Sequence, residues 1–437
     1  MKVILYGYCL IIFIGTVLLS LPVSTRIPED SNVFTSFFTA TSATCVTGLI
    51  HADTYTHWSL FGQVVILSLI QIGGIGFMTL CIAIMTISKK KIGFTSRLLM
   101  QNSVSAPHIG GIVRMTKFIM LGTFLIEGIG AILLTGIFCP KEGLVKGIWF
   151  SIFHSISAFC NAGFDLMGGT EQFSSLTTMS GNWYLNIIIM LLIIIGGLGF
   201  VVWHDILDAK FKFSQMSLHT KLVLTVTCIL IFGGGLLMFL FEHNTPSYAG
   251  RSYSDQIAMS LFQSVSSRTA GFNTVDLAAL TESGKFLLII LMMIGGSPGS
   301  TAGGIKTTTF AVLIISIITT FRDRKATEVF GRRLETYLPR KVSCIFMMYL
   351  GLSCSVSMVI SRIENIPFIN TLFESVSAIA TVGLSTGITP SLGTVSNVLL
   401  AFLMLFGRVG SLTMLLAFAS VQKRPASTLP LEKIQIG

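Results

Sequence analysis

Four copies of one short phrase limit what this chain can fold into more than any other feature. Phe38-Thr39-Ala40-Thr41-Ser42-Ala43, Phe153-His154-Ser155-Ile156-Ser157-Ala158, Phe262-Gln263-Ser264-Val265-Ser266-Ser267 and Phe373-Glu374-Ser375-Val376-Ser377-Ala378 share the pattern F-x-[AS]-x-S-[AS]. A glycine follows each Phe by ten residues, or by nine in the third copy: Gly48, Gly163, Gly271 and Gly383. These glycines are 115, 108 and 112 residues apart. A period this long implies four copies of one structural unit, with boundaries expected at 1–110, 111–215, 216–335 and 336–437.

Each phrase lies between two apolar runs. Eight such runs, at about 3–21, 58–86, 118–138, 183–203, 222–241, 286–320, 342–361 and 395–420, have the roughly 17–25 residues that a bilayer-crossing helix needs. Charged residues are only 11% of the chain and hydrophobic ones 52%, against roughly 25% charged in soluble domains. The run at 3–21 carries weak signal-peptide features, Lys2 before it and Ser20-Leu21-Pro22-Val23-Ser24 at its end. Without it the first unit would lack a span that its three sisters have, so it is taken as retained. The eight cysteines show no C-x-x-C spacing and mostly fall inside apolar runs. Small buried thiols fit them better than a metal site or a disulfide framework.

The basic residues set an expected orientation. An even number of spans puts both termini on one side, and 20 of the 29 Lys and Arg residues fall there, including Lys89, Lys90, Lys91, Lys210, Lys212, Arg332 and Arg333. Basic loops stay cytoplasmic, so the termini are expected inside and the phrases facing out. The net charge of +10 is then topology, not a nucleic-acid footprint. Twelve acids, among them Asp53, Asp165, Asp276 and Glu374, fall on the outer side against seven bases. Such an excess either concentrates cations at an outer mouth or only hydrates the loops.

The phrases themselves are too short to span, amphipathic, and broken by glycine. A half-helix that dips into the membrane and turns back at the glycine fits this composition. Non-helical backbone at membrane depth is tolerated only inside protein or beside water. Four such turns around one axis would present rings of carbonyl oxygens able to replace the hydration shell of a monovalent cation. The residues expected to line the axis are Val46, Thr47 and Gly48; Asn161, Ala162 and Gly163; Thr269, Ala270 and Gly271; and Thr381, Val382 and Gly383. The fold class is therefore all-α and integral to the membrane, with four span, pore half-helix, span units around a pseudo-fourfold pore.

A second mark recurs in the span after each phrase: Gly73-Gly74-Ile75-Gly76, Gly196-Gly197-Leu198-Gly199, Gly295-Gly296-Ser297-Pro298-Gly299 and Gly407-Arg408-Val409-Gly410. Close helix packing explains the first two. In the third unit the run continues Ser300-Thr301-Ala302-Gly303-Gly304-Ile305-Lys306, too rich in Gly and Pro for a continuous helix. Gly299 and Gly304 have the gap of a phosphate-binding loop, but Ile305 intervenes before Lys306 and no strand precedes, so nucleotide binding is rejected. A mobile intramembrane loop is expected instead. In the fourth unit Arg408 stands about 13 residues into its span, near the midplane, where a charge costs on the order of 2.5–3.5 kcal/mol. Arg408 either sets an electrostatic barrier beside the pore or is paired off and braces helices. Glu127, in the third run, reads as a satisfied interior carboxyl.

These residues together resemble the Trk/Ktr/HKT superfamily of potassium transporters, most closely its Ktr-type membrane subunits, over essentially the whole chain. The resemblance implies a potassium-selective filter, because all four filter positions are glycine. In the plant branch a serine at the first position accompanies sodium transport; here it is Gly48. It further implies that residues Gly295 to Lys306 gate the pore with Arg408 nearby. It also implies a homodimer with one pore per protomer, and a separate cytosolic KtrA-type ring of regulator-of-conductance subunits that binds ATP or ADP. Potassium is the transported ion, sodium often stimulates, and no nucleotide is expected on this chain. The unequal filter residues and the shorter third copy, which brings Arg268 close, allow only pseudo-fourfold symmetry.

Three other readings compete. A sodium-permeable transporter of the same fold would carry the same motifs. An intramembrane enzyme is disfavoured: no H-E-x-x-H occurs, and no acid pair lies at helical spacing within a span. A scaffold would not need four filter-like turns.

Overall fold

A computed structural model describes residues 2–76, 79, 111–324 and 326–410. The second half of the 58–86 run, the basic cluster Lys89–Lys91 and the C-terminal tail fall outside the described residues.

The described chain is mostly helical, with a single short hairpin as its strand structure. The first unit contributes α1 (Lys2–Leu19), the half-helix α2 (Val33–Cys45), the one-turn α3 (Thr54–His57) and α4 (Leu60–Ile75). Next come α5 (Ile112–Glu142), the half-helix α6 (Leu144–Phe159), α7 (Trp183–Leu198) and α8 (Phe200–Asp208). The third stretch holds α9 (Leu218–Glu242), the half-helix α10 (Tyr253–Ser266), α11 (Glu282–Met293) and α12 (Thr307–Phe321). The last holds α13 (Leu338–Glu364), the half-helix α14 (Phe368–Ile379) and α15 (Thr394–Val409). A two-residue hairpin, β1 (Glu328–Val329) against β2 (Arg332–Arg333), turns through Phe330 and Gly331, both at positive φ.

Polar residues just before the apolar runs start many of these helices. Asn32, Asn182, Ser217, Ser252 and Thr281 each accept a backbone N–H two or three residues on, satisfying a donor that the helix cannot. The long helices carry Leu, Ile, Val and Phe on nearly every side, and many of these remain exposed, such as Leu121, Ile132, Phe232 and Leu240. Apolar side chains pointing outward over long helices are what a lipid solvent requires.

Three helices among the described residues are long and apolar enough to cross a membrane: Val113–Glu142, Leu218–Glu242 and Leu338–Glu364. They match the expected spans at 118–138, 222–241 and 342–361. Val3–Leu19, Leu60–Ile75 and Thr394–Val409 are shorter apolar helices. The expectation of continuous spans at 58–86, 183–203 and 395–420 needs correcting. α4, α7 and α15 each stop at the last glycine of the G-x-x-G mark, where Gly76, Gly199 and Gly410 take φ of 90°, 98° and 88°. An L-residue with a side chain rarely adopts that angle. Only the second continuation is described; there α8 turns 90° away from α7. The expected break in 286–320 is present, between α11 and α12.

The packing closes on itself. α1, α5, α9 and α13 each lie on the half-helix that follows, α2, α6, α10 and α14. Each half-helix also meets an element from the preceding stretch: α4 touches α6, α7 touches α10, α11 touches α14, and α15 returns to α2. The core is therefore a ring of four short helices inside a sleeve of longer ones.

Candidate functional site

The letters of the phrase explain how the centre is built. Phe38, Phe153, Phe262 and Phe373 are fully buried and anchor the half-helices in the core. The serine of each phrase ties the half-helix to the strand that follows. Gly48 N donates to Ser42 Oγ at 3.1 Å and Gly383 N to Ser377 Oγ at 3.0 Å. Ser157 Oγ donates to Phe164 O at 2.6 Å, and Ser266 Oγ to Phe272 O. Each such bond contributes about 1 kcal/mol and, more importantly, fixes the turn.

At the turn, Val46, Asn161, Thr269 and Thr381 adopt left-handed φ of 56°, 58°, 74° and 52°. Gly48, Gly163, Gly271 and Gly383 follow at 92°, 69°, 81° and 92°. The pattern is the same in the third copy, although it is one residue shorter. Ala270 N reaches back four residues to Ser266 O, where Thr47, Ala162 and Val382 reach back five, to Ser42, Ser157 and Ser377. The helix end absorbs the deletion and the turn keeps its shape.

The four glycines meet in sequence order around one axis. A Cβ placed on Gly48 would lie 3.1 Å from the Cα of Gly163, one on Gly163 2.8 Å from Gly271, one on Gly271 3.3 Å from Gly383, and one on Gly383 2.9 Å from Gly48. The carbonyl oxygens of Ala162, Ala270, Val382 and Thr47 are the atoms against which those same Cβ positions would press. No side chain larger than hydrogen fits this ring without displacing backbone. Four half-helix C-termini lead into it, and the negative end of each helix dipole favours a cation there.

On the side of the exit strands lies a cavity of about 350 Å³, lined by all four glycines and by Asp53, Asp165 and Asp276. Asp53 Oδ1 accepts from Tyr55 N, Thr56 N and Thr56 Oγ1, and its Oδ2 accepts from Phe173 N at 3.1 Å, pinning two loops together. Burial, with the charge of Asp53 adding to it, pushes the Asp165 carboxyl up to about 7.

A second cavity, about 440 Å³, opens among Gly74, Gly76, Gly407, Gly410 and the broken segment. Its ionisable lining among the described residues includes Lys306, Lys341 and Arg408 and no acid. Gly295 to Lys306 fold as a compact loop between the two cavities. Gly295 N donates to Ile305 O at 2.8 Å, closing its neck, and Ser297 Oγ meets Thr307 Oγ1 at 3.0 Å. Ser297 N donates to Gly197 O, Thr301 N to Gly196 O, and Phe200 N to Gly299 O, so Gly299 docks at the bend after α7. Thr301 Oγ1 reaches Phe159 O, Ser300 Oγ returns to Ser297 O, and Pro298 lies against Gly199. Ala302 packs on Gly296, while Gly303 and Gly304 press on Thr381 and Ala380 beneath the fourth turn. Lys306 Nζ donates to Ala302 O at 2.6 Å.

Arg408 joins this loop to the first unit. Its guanidinium donates to Thr301 O, to Gly73 O and, at 3.3 Å, to Gly74 O. Its partners are backbone carbonyls on two elements, which is the contact that bracing requires, and its positive charge meets no acid among the described residues, as an electrostatic barrier requires. The glycine marks act as expected in part. Gly73, Gly196 and Gly407 receive the C-terminal carbonyls of Thr44, Phe159 and Ile379 so closely that a methyl group would collide. Their packing role is thus met by the first glycine, while the last one breaks the helix. Glu127 is buried and accepts from Gln71 Nε2 at 3.1 and 3.0 Å, as a satisfied interior carboxyl should. Arg268 is buried beside the third turn, and its Nε has no partner among the described residues.

Comparison with known proteins agrees with this architecture. The chain is 38% identical over 442 residues to the potassium/sodium uptake protein NtpJ of Enterococcus hirae, covering all of this chain and 97% of that protein. It is 39% identical over 428 residues to the Ktr system potassium uptake protein B of Bacillus subtilis, covering 97% and 93%. The crystal structure of the potassium transporter TrkH from Vibrio parahaemolyticus superposes with a TM-score of 0.71 at 20% identity, over 94% of this chain and 84% of that one. The same all-helical fold is therefore shared. The family model described as TrkH, cation transport protein, matches residues 10–428, and the chain belongs to that family of membrane ion transporters, not to an enzyme family.

Proposed function

We propose that this chain is the ion-conducting membrane subunit of a potassium uptake system, with the glycine ring as its selectivity filter. The closed ring of Gly48, Gly163, Gly271 and Gly383, each beside the next unit's carbonyl, carries this reading. A potassium ion sheds water, takes carbonyl oxygens in exchange, and is driven inward by the membrane potential at roughly 2.3 kcal/mol per charge per 100 mV. No covalent chemistry is required. The acids of the first cavity raise the local cation concentration. The loop from Gly295 to Lys306, latched by Arg408, is the barrier below. The units run 1–110, 111–215, 216–335 and 336–437, both termini are cytoplasmic, and the chain works in the lipid bilayer as a homodimer on a cytosolic KtrA-type ring that binds ATP or ADP.

The name of the Enterococcus hirae relative includes sodium, which favours a second reading, a sodium-permeable or sodium-stimulated transporter. One experiment addresses both. Purified protein in liposomes is assayed for rubidium and sodium flux, with and without added sodium. The unsubstituted chain should prefer rubidium, and Gly48→Ser, whose side chain meets the Ala162 carbonyl, should lower that preference by about tenfold or more, the loss of roughly one good carbonyl contact. An unchanged ratio would remove the filter assignment.

A further inference from the structure

The variable second residue of the phrase has a partner that its neighbours lack. In the fourth copy it is Glu374, fully buried. Its Oε1 accepts from Thr386 N at 2.9 Å, Ser385 Oγ at 2.7 Å and Thr386 Oγ1 at 3.3 Å, and its Oε2 accepts from Thr389 Oγ1 at 2.8 Å. Thr386 is three residues past Gly383, on the strand that leaves the ring. In the second copy the residue is His154, also fully buried. Its Nε2 accepts from Leu166 N at 3.4 Å while its Nδ1 donates to Phe150 O at 2.8 Å. Leu166 is likewise three residues past its glycine, Gly163. In both copies the bond spans 12 residues, so the two side chains occupy the same place and do the same thing.

The first and third copies differ. Thr39 Oγ1 and both amide atoms of Gln263 are buried without a partner among the described residues. Because the glycines meet in sequence order around the ring, the second and fourth units face each other across the axis. Through this second residue two opposed walls are tied back and the other two are not; in the first unit His51, three residues past Gly48, instead meets Thr35 Oγ1 of α2 at 3.4 Å.

We propose that Glu374 and His154 are positioning residues for ion selectivity: struts that hold the exit strands of the second and fourth units at the spacing a partly dehydrated potassium ion requires. This rests on the filter reading above and deepens it. A carbonyl ring discriminates only while its oxygens keep their spacing and field. The backbone N–H groups of Thr386 and Leu166, once left without an acceptor in a buried setting, would pull the strand toward other partners. Glu374 carries the greater share, since a carboxylate can only accept and here takes four bonds.

The experiment compares Glu374→Gln, His154→Gln and two controls in liposomes, reading rubidium and sodium fluxes as KM and maximal rate separately. Glu242→Gln is the first control. Glu242 also braces a loop with several bonds, accepting from Thr281 N and from the hydroxyls of Thr281, Thr245 and Ser247, but on α9, away from the ring. Gly383→Ser is the second, because it alters the ring itself. Glu374→Gln should lower the rubidium-to-sodium ratio at least about tenfold, the scale of losing a hydrogen bond to a charged acceptor. The change should appear in KM more than in maximal rate, Glu374→Asp should restore part of it, and His154→Gln should give a smaller loss. Glu242→Gln should leave the ratio unchanged. If Gly383→Ser shifts the ratio and Glu374→Gln does not, the strut is refuted and the filter stands. If neither shifts it, the filter reading itself fails. An equal loss in Glu242→Gln would mark the effect as general destabilisation and also overturn the proposal.

Discussion

Asp165 stands two residues past Gly163 and lines the same cavity as Asp53 and Asp276, the other charged side chains there. Burial, then the neighbouring charge of Asp53, raise its carboxyl to about 7. The group is therefore neutral below that pH and charged above it, inside the physiological range. A single charge several ångströms from the ion changes its energy by roughly 0.5 kcal/mol when water fills the cavity. The apparent KM for rubidium should accordingly rise about twofold as the outer pH falls from 8 to 6. Uptake into liposomes with the membrane potential clamped by an ionophore measures this. Asp165→Asn should give the higher KM at both pH values. A pH slope that survives in Asp165→Asn would assign the titration to another group.

At the scale of elements, the loop from Gly295 to Lys306 is held by hydrogen bonds to α7, to the start of α8 and to the end of α6, and on its other flank by Arg408. It has no helix of its own, and Arg408 fastens it to α4 through Thr301 and Gly73 carbonyls. Hydrogen bonds to a charged donor contribute about 1.5–3 kcal/mol each. Arg408→Gln keeps a donor but loses the charge and the reach, so the loop should leave the axis more often. Rubidium flux should rise about tenfold, and removing residues between Ser297 and Gly303 should raise it further. Flux that stays flat in protein of normal elution volume would show that the loop is no barrier. Much of this element was legible in the sequence: the density of Gly and Pro forbids a helix, and Arg408 interrupts a glycine mark. Its partners were not, because backbone carbonyls leave no trace in residue identity. The stops at Gly76, Gly199 and Gly410 were hidden for a similar reason. A glycine that admits a neighbouring backbone and a glycine that turns its own are the same letter. The phrase serines could have been found, since Ser is the one polar position kept in all four copies. The struts could not, because Glu374, His154, Gln263 and Thr39 share no chemistry.

For the whole molecule, the ring explains why four weakly similar stretches must fold together. Each half-helix is covered on one side by its own spans and on the other by an element of the preceding stretch, with α15 closing back on α2. A single unit would leave one flank of its half-helix, polar at the turn, facing lipid, where unsatisfied backbone is costly. The closed ring has an outward consequence, because the four exit strands must share one face. That face carries Glu171, exposed between α6 and α7, while Lys212, exposed between α8 and α9, belongs to the basic side. Basic loops remain in the cytoplasm, so the two positions should differ in access from outside the cell. Glu171→Cys should react with a membrane-impermeant maleimide in intact cells, above the labelling of the unsubstituted chain. Lys212→Cys should react only after the cells are opened. The reverse pattern would invert the pore and place the acidic cavity inside, so that the membrane potential would no longer draw potassium in through the glycine ring from its acidic end.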